Sequence, residues 1–149
     1  MSSPTKKISQ QEKIQTLLKS NTLMVLSTTN SRNQSQSALV AFTQTENFEI
    51  IFGTFCTTRK YANLKCNPSV SIVIGLDERL NKTIQIEGTA QEAATLLQAK
   101  EWQSLQLKKN PASKKYASHQ HQRYFKITPA WMRYSDFSKT TEEIFEVHF

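Results

Sequence analysis

The 149 residues include 38% hydrophobic and 21% charged residues, a composition that suits one soluble globular domain with a core of its own. No apolar run is long enough to span a bilayer, and residues 1–7 have no apolar segment behind their charges, which argues against a secretory signal. Two cysteines are too few for a disulfide framework or a four-ligand zinc site. We therefore expect one cytoplasmic domain over residues 1–149, with free thiols at Cys56 and Cys66.

The formal net charge of +7 is concentrated between residues 100 and 126. Four lysines lie in residues 108–115, which we call the basic segment. The basic segment has no helix-turn-helix and no aromatic RNA-binding strand, so we expect no nucleic-acid partner. We expect no membrane partner either, because no apolar run could span a bilayer. Two interpretations stay open: a solvated face, or a field that attracts a phosphate-bearing ligand.

In chain order, the polar residues 1–7 are expected to be disordered. A capping box at 9–12 then begins a helix that ends near Ser20. Apolar runs rich in β-branched residues, or alternating with polar residues, predict the strands that follow. These are 22–28, 35–42, 48–52, 69–74 and 83–90, with 123–128 and 131–134 on either side of Pro129.

Helices are expected to interrupt the strands. Thr57 or Thr58 caps a short helix at 58–66, and a helical insertion follows at 91–119 with a break at Pro111. Gly88 lies inside a strand pattern, which indicates a bulge or a close backbone approach. Residues 142–149 alternate and form either a last edge strand or a tail over a neighbour. The chain is thus mainly β within the α+β class, a barrel decorated by helices.

The start of the short helix combines Thr58, Arg59 and Lys60. A helix N-terminus offers unpaired N–H groups and partial positive charge, and two cations add to both, so a phosphate or carboxylate would be held well there. The same residues are also typical of a plain solvated cap, and both interpretations stay open.

Several short motifs occur in a fixed order along the chain. They are residues 27–29, 33–42, 58–64 (Thr-Arg-Lys-Tyr-Ala-Asn-Leu), 67–70 (Asn-Pro-Ser-Val) and 86–90 (Ile-Glu-Gly-Thr-Ala). Together they resemble the pyridoxamine 5'-phosphate oxidase-like, FMN-binding split-barrel family, and the resemblance covers residues 9–134. It implies a split β-barrel of about six antiparallel strands, FMN as cofactor, and a homodimer with the flavin site at its interface.

The resemblance also implies which residues bind FMN. The phosphate would lie at the start of the short helix, and the flavin ring along residues 36–39 and 53–55. Thr83 or Gln85 would contact FMN from the partner subunit, and a C-terminal tryptophan and arginine would complete the site, although Trp131 is equally consistent with a core aromatic. The expected cofactor-binding residues are Ser37, Ala38, Leu39, Thr54, Phe55, Thr58, Arg59, Lys60, Thr83, Gln85, Trp131 and Arg133.

The chain departs from true pyridoxamine 5'-phosphate oxidases in three places. Their Arg-Leu-His-x-Arg substrate motif is absent, and their second-strand arginine has no counterpart in residues 36–39. Their Gly-x-Pro turn is replaced by residues 33–35, where Asn33 tolerates the left-handed backbone. We therefore do not expect oxidation of pyridoxamine 5'-phosphate.

The leading hypothesis is an FMN-dependent oxidoreductase that acts on a small molecule, with no catalytic acid or base assigned. The alternative is a non-catalytic module that holds flavin or heme on the same barrel. His119 and His121 lack a nearby carboxylate or cysteine in sequence, so we expect exposed histidines and no metal site. Neither cysteine has a histidine close in sequence, so a nucleophilic mechanism has no support.

Overall fold

One antiparallel sheet forms the body of the structure, a computed structural model that describes the backbone of residues 2–149 and the side chains of residues 10–149. In these residues the sheet has eight strands, in the order β2-β1-β5-β6-β7-β4-β3, with β8 on the remaining edge of β7. The strands are β1 (Leu23–Thr29), β2 (Ser35–Ala41), β3 (Thr43–Gln44), β4 (Ile50–Phe55), β5 (Ser69–Ile74), β6 (Lys82–Glu92), β7 (Gln122–Asp136) and β8 (Glu143–His148). The curled sheet and its helices confirm the mainly β, split-barrel class, with two strands more than the expected six.

The longest strand, β7, organises the sheet. One of its edges pairs with β6 along almost its whole length, and the other pairs first with β4 and then with β8. The sequence predicts two strands around Pro129, but the structure joins them into one. Pro129 is tolerated because it lies past the β4 pairing, which ends at Ile127, and before the β8 pairing, which begins at Trp131.

Gly88 lies at a register shift in the β6–β7 ladder, directly opposite Pro129. A Cβ atom at Gly88 would lie 2.5 Å from the carbonyl oxygen of Thr128 and 3.2 Å from Cα of Pro129. Both predicted features of this glycine, a bulge and a close backbone approach, are therefore present. The extra residue is Ala130, which lies between the partners of Glu87 and Gly88, so β7 is the strand that the bulge bends.

Four α-helices lie in the described residues: α1 (Ser2–Ser20), α2 (Arg59–Cys66), α3 (Leu96–Lys109) and α4 (Lys114–Ala117), the last after a short 3-10 turn at Pro111–Ser113. α1 begins well before the capping box at Ser9 and includes residues that the sequence predicts as disordered. Pro4 is acceptable there because the first turn of a helix needs no proline N–H. Met1 and the side chains of residues 1–9 lie outside the described part.

Two other predicted boundaries are wrong. The strand expected at 48–52 runs from Ile50 to Phe55, because Phe48 has a φ of 65° in a turn where its N–H donates to the Thr45 carbonyl at 3.1 Å. The helical insertion does not begin at 91, since β6 continues to Glu92 in register with Phe125. Instead the Thr95 hydroxyl caps α3 by accepting the Gln98 N–H at 3.1 Å.

The core fills the concave side of the sheet. α1 covers one opening with Ile14, Leu17 and Leu18, all buried. A smaller cluster of Ile51, Trp102 and Tyr124 attaches α3 to the back of β4 and β7. The insertion is thereby held beside the edge of β4. No helix among the described residues combines the length and the apolarity that crossing a membrane requires.

Candidate functional site

The barrel is split between β2 and β4, and a cleft of about 310 Å³ occupies the gap. Residues 39–41 of β2 form one wall and residues 53–55 of β4 form the other. Within the described backbone, residues 2–149, β2 is the edge of the sheet and β4 beyond Ile51 has no strand partner on this side, so both walls present unpaired backbone groups. Such edges can satisfy the polar rim of a planar ligand, while neighbouring apolar side chains cover its face.

The N-terminus of α2 closes one end of the cleft. The Thr58 hydroxyl accepts the Tyr61 N–H at 3.3 Å, as predicted for an N-cap, and it donates to the Phe55 carbonyl at 3.0 Å. Because the first amides of a helix have no intrahelical acceptor, the N–H groups of Arg59 and Lys60 remain available at the cleft. Thr58 thus caps the helix, and its hydroxyl proton is engaged by the Phe55 carbonyl, so it is not free to bond a ligand.

Arg59 and Lys60 supply the positive charge at this end. Within residues 10–149, neither side chain forms an ion pair or a side-chain hydrogen bond. Lys60 is half-buried, and that burial lowers the pKa of its ammonium group below the usual 10.5. A partly desolvated cation without an anion is unfavourable in the protein alone, which makes this end of the cleft a candidate anion site.

A smaller pocket of about 130 Å³ continues from the cleft beneath α2 and shares Thr58 and Lys60 with it. The buried Asn63 side chain donates to the Thr28 hydroxyl at 3.0 Å and to Gln36 Oε1 at 2.9 Å. On the far side of α2, Glu92 accepts from the Tyr61 hydroxyl at 2.9 Å and from Lys65 at 2.7 Å. These bonds fix the helix to β1, β2 and β6, and so fix the cationic end of the cleft.

The insertion supplies the outer wall. Gln106, Ser113 and Tyr116 line the cleft, and Gln106 Nε2 donates to the Ala41 carbonyl at 3.2 Å on the β2 edge. Phe55 contacts the Tyr116 ring edge to face at 5.9 Å and stacks on His119 at 4.3 Å, both measured between ring centroids. An aromatic group therefore stands at the mouth of the cleft.

The structure brings a thiol and an imidazole together that the sequence keeps 65 positions apart. Cys56 Sγ lies 3.7 Å from His121 Nδ1, and the Cys56 N–H donates to the His121 carbonyl at 2.8 Å. His119 is exposed as predicted, whereas His121 is half-buried. Both cysteines are free thiols. In the part of the chain with described side chains, no group of three His, Cys, Asp or Glu residues has metal-binding geometry.

Eight of the twelve expected cofactor residues lie together around the cleft and its smaller pocket: Ser37, Ala38, Leu39, Thr54, Phe55, Thr58, Arg59 and Lys60. The other four, Thr83, Gln85, Trp131 and Arg133, line neither. Gln85 and Trp131 border a separate shallow cavity of about 140 Å³ on the outer side of the sheet. Within one chain, the expected set thus forms two groups.

Both groups border one continuous surface, the outward-facing side chains of strands β2, β1, β5, β6 and β7, which we call the outer face. Cross-strand pairing places Leu39, Val25, Val73, Gln85 and Arg133 side by side across it. Leu39 is 59% exposed and Val73 40% exposed. Four strand spacings of about 4.8 Å separate the ends of this row by roughly 19 Å. The middle of this row is apolar, with serines beside it at Ser27 and Ser71, and the two ends of the row belong to the two groups.

Sequence reasoning missed Asn63, Gln106, Tyr116 and Gln122 as site residues. Asn63 belongs to the short helix motif, and a polar residue beside the buried Leu64 is the signal that indicates an inward-facing amide. Gln122 lies over Gly53, where a Cβ atom would collide with its side-chain amide. Tyr116 and Gln106 reach the cleft only through the packing of the insertion, for which the sequence carries no local signal.

A family model described as pyridoxamine 5'-phosphate oxidase matches residues 10–136. The chain belongs to this family, in agreement with its split barrel. A search of curated proteins finds no significant match.

Three solved structures with a similar fold show that proteins of different described roles share it. A heme binding protein from Mycobacterium smegmatis has a TM-score of 0.73 at 13% identity, over 89% of this chain and 55% of that chain. HutZ, the heme storage protein from Vibrio cholerae, has a TM-score of 0.67 at 15% identity, over 79% and 88% of the two chains. General Stress Protein 26 from Bacillus anthracis has a TM-score of 0.70 at 22% identity, over 92% and 98%. The chain thus spans about half the length of the M. smegmatis protein, and likeness at these identities shows the fold alone.

Proposed function

We propose that the chain is an FMN-binding oxidoreductase, with the FMN phosphate at the N-terminus of α2 and the flavin ring between β2 and β4. One observation carries the proposal: among the described side chains, Arg59 and Lys60 have no charged partner, and they lie beside free helix amides at the end of a cleft walled by unpaired strand edges. A dianionic phosphate would neutralise these cations, and the strand edges would bond the ring. The motif series and the family membership support the same cofactor.

When bound, FMN supplies hydride or single-electron transfer. The chain's own residues bind and orient it. Arg59, Lys60 and their amides would hold the phosphate, residues 37–39 and 54–55 would contact the ring, and Tyr116 would restrict water at the mouth. We assign no catalytic acid or base, because the described cleft residues offer no pair of carboxylate and imidazole side chains aimed at a common point.

We further propose that the active form is a homodimer built on the outer face. Its apolar centre is exposed in the single chain, and the two residue groups lie at opposite ends of one row. A two-fold axis through the centre would place the second group of one subunit, Thr83, Gln85, Trp131 and Arg133, near the cleft of the other. Such an arrangement would unite all twelve expected residues at each site.

The test is a titration of the purified, ligand-free protein with FMN, FAD and riboflavin, followed by flavin fluorescence and absorbance. FMN should bind most tightly, because the phosphate site takes one terminal phosphate and lacks a glycine-rich dinucleotide fingerprint. Loaded protein should then oxidise reduced nicotinamide in the presence of an electron acceptor. Tighter binding of FAD than of FMN would contradict the proposal, and binding without turnover would leave only a flavin carrier.

A second candidate is a heme-binding module without catalysis. The observation that favours it is the pair of imidazoles at the cleft mouth. His119 stacks on Phe55, and the centroids of the His119 and His121 rings are 5.3 Å apart. Hemin titration should then give a Soret band that shifts in His119→Ala or His121→Ala. Unchanged spectra in both variants, with FMN still bound, would exclude this candidate.

A further inference from the structure

Glu146 on β8 holds both of the C-terminal residues expected to contact FMN. The Trp131 Nε1–H donates to Glu146 Oε1 at 2.8 Å, and Arg133 Nη2 donates to Glu146 Oε2 at 3.0 Å. Together the two bonds hold the pKa of the Glu146 carboxyl below its usual value, with the larger effect from Trp131. One carboxylate therefore sets the direction of both side chains.

The β8 strand gives that carboxylate a fixed place. Glu146 lies opposite Arg133 in the β7–β8 ladder, with Trp131 two residues along on the same side. The residues on either side of Glu146, Phe145 and Val147, face the core, and Phe145 stacks on Tyr134 with 4.9 Å between ring centroids. The alternation of a strand then directs Glu146 outward.

Arg133 is only partly used by this contact. Its Nε–H is buried without a hydrogen-bond partner within residues 10–149, but the guanidinium as a whole stays half-exposed. Because Glu146 already balances the guanidinium charge, a neutral carbonyl or ring nitrogen fits the exposed side of Arg133 better than a second anion.

We propose that Glu146 is a positioning residue that orients Trp131 and Arg133 toward the neutral edge of the flavin ring bound in the partner's cleft. The inference rests on the proposed function and deepens it. FMN recognition is then divided between two subunits. The N-terminus of α2 in one chain binds the phosphate, and Trp131 and Arg133 of the other chain, oriented by Glu146, bind the ring.

The experiment compares FMN with riboflavin, which has the ring but no phosphate. Glu146→Ala should weaken both ligands by the same factor, about tenfold, because only ring contacts are lost. Lys60→Ala should weaken FMN and leave riboflavin nearly unchanged. Glu142→Ala, an exposed glutamate just before β8, is the matched control and should change neither.

A double-mutant cycle separates positioning from a merely structural role. In an Arg133→Ala background, Glu146→Ala should cost much less affinity than in the wild type, whereas damage to β8 would cost the same in both. Acrylamide quenching of Trp131 fluorescence, in a Trp102→Phe background, should increase when Glu146 is removed.

Two outcomes would overturn the inference while the proposed function stands. One is unchanged riboflavin affinity in Glu146→Ala, and the other is an equal loss with and without Arg133. A wild type that binds neither flavin would instead remove the proposed function, and this inference with it.

Discussion

Lys60 is the residue on which phosphate binding in the cleft depends most directly. Lys60→Met keeps the apolar stem and removes the charge, so FMN should bind about 10- to 100-fold more weakly, as expected for the loss of a charge-assisted hydrogen bond. The ligand-free variant should unfold at no lower urea concentration than the wild type, since burial already disfavours the ammonium group.

The control for this prediction is Lys65→Met on the same helix. Lys65 pairs with Glu92 at 2.7 Å and does not line the cleft, so its loss should leave FMN affinity unchanged. Thr58→Ala should reduce stability by about 1 kcal/mol through the lost cap, with a smaller effect on affinity than Lys60→Met. Wild-type affinity in both Lys60→Met and Thr58→Ala would mean that the phosphate binds elsewhere.

Lys109 has a structural role, unlike Lys60, because its side chain links the C-terminal end of α3 to α1. Its ammonium group donates to the Leu18 carbonyl at 2.9 Å and to Gln44 Oε1, and it lies 3.9 Å from the centroid of the Phe42 ring. Burial nevertheless lowers the pKa of Lys109 to about 8. Between pH 8 and the unfolded pKa of about 10.4, the unfolded chain therefore binds the extra proton.

Stability contributed by Lys109 should consequently rise with pH across that window. The measurement is urea unfolding of the wild type and Lys109→Met from pH 7 to 10. The difference in unfolding free energy should move in favour of the wild type above pH 8 and stay constant below it. A difference that is flat across the whole range would contradict the assignment.

At the scale of single elements, the β7 bulge beside Gly88 makes the clearest prediction. Gly88→Ala should destabilise the fold by about 1–3 kcal/mol, because the new methyl group meets the backbone of Thr128 and Pro129, which cannot move aside. Gly53→Ala should cost less, since the nearest atom it meets is the end of the Gln122 side chain. Thermal unfolding of the two variants checks the order.

The basic segment also belongs to this scale, and the structure divides its four lysines. Lys109 is committed to packing, so only Lys108, Lys114 and Lys115 are exposed and suited to charge reversal. Their reversal to glutamate should slow FMN association several-fold and flatten its salt dependence, with nearly unchanged dissociation, because diffuse charge acts on encounter.

The same reversal at Lys19, Arg79 and Lys139, which do not line the cleft, changes the net charge equally and serves as the control. Equal on-rates in the two triple variants would show that the basic segment is only a solvated face.

Structural features that depend on a few neighbouring residues could be predicted from the sequence, whereas features created by tertiary packing could not. The Thr58 cap, the left-handed Asn33 with a φ of 60° and the Gly88 bulge follow from one residue and its neighbours. β8 pairs through its backbone with β7, so its alternation alone left two interpretations open. The Cys56–His121 contact joins two turns that are 65 positions apart, one after β4 and one before β7, so no local pattern in the sequence predicts it.

For the whole molecule, the outer face predicts a homodimer in solution. Val73→Glu places a charge at the centre of the apolar row and should give a monomer by light scattering at micromolar concentration, with FMN affinity lost in parallel. Leu97→Glu is the control: Leu97 is 79% exposed on α3, outside the outer face, and its change should leave mass and affinity intact. A wild-type monomer that still binds FMN would contradict the prediction.

The two-sided pairing of β7 also has a kinetic consequence. Its contacts with β4 join residues about 70 positions apart, and these contacts close the curl of the sheet. Loop-closure entropy must be overcome before such distant pairs form, so the chain has the high contact order of slow-folding β proteins, with refolding expected in milliseconds to seconds. Until β7 docks, the edges of β4 and β6 stay open and could pair with other chains. Refolding yield should therefore fall as protein concentration rises, and it should fall most when β7 is the element weakened by mutation.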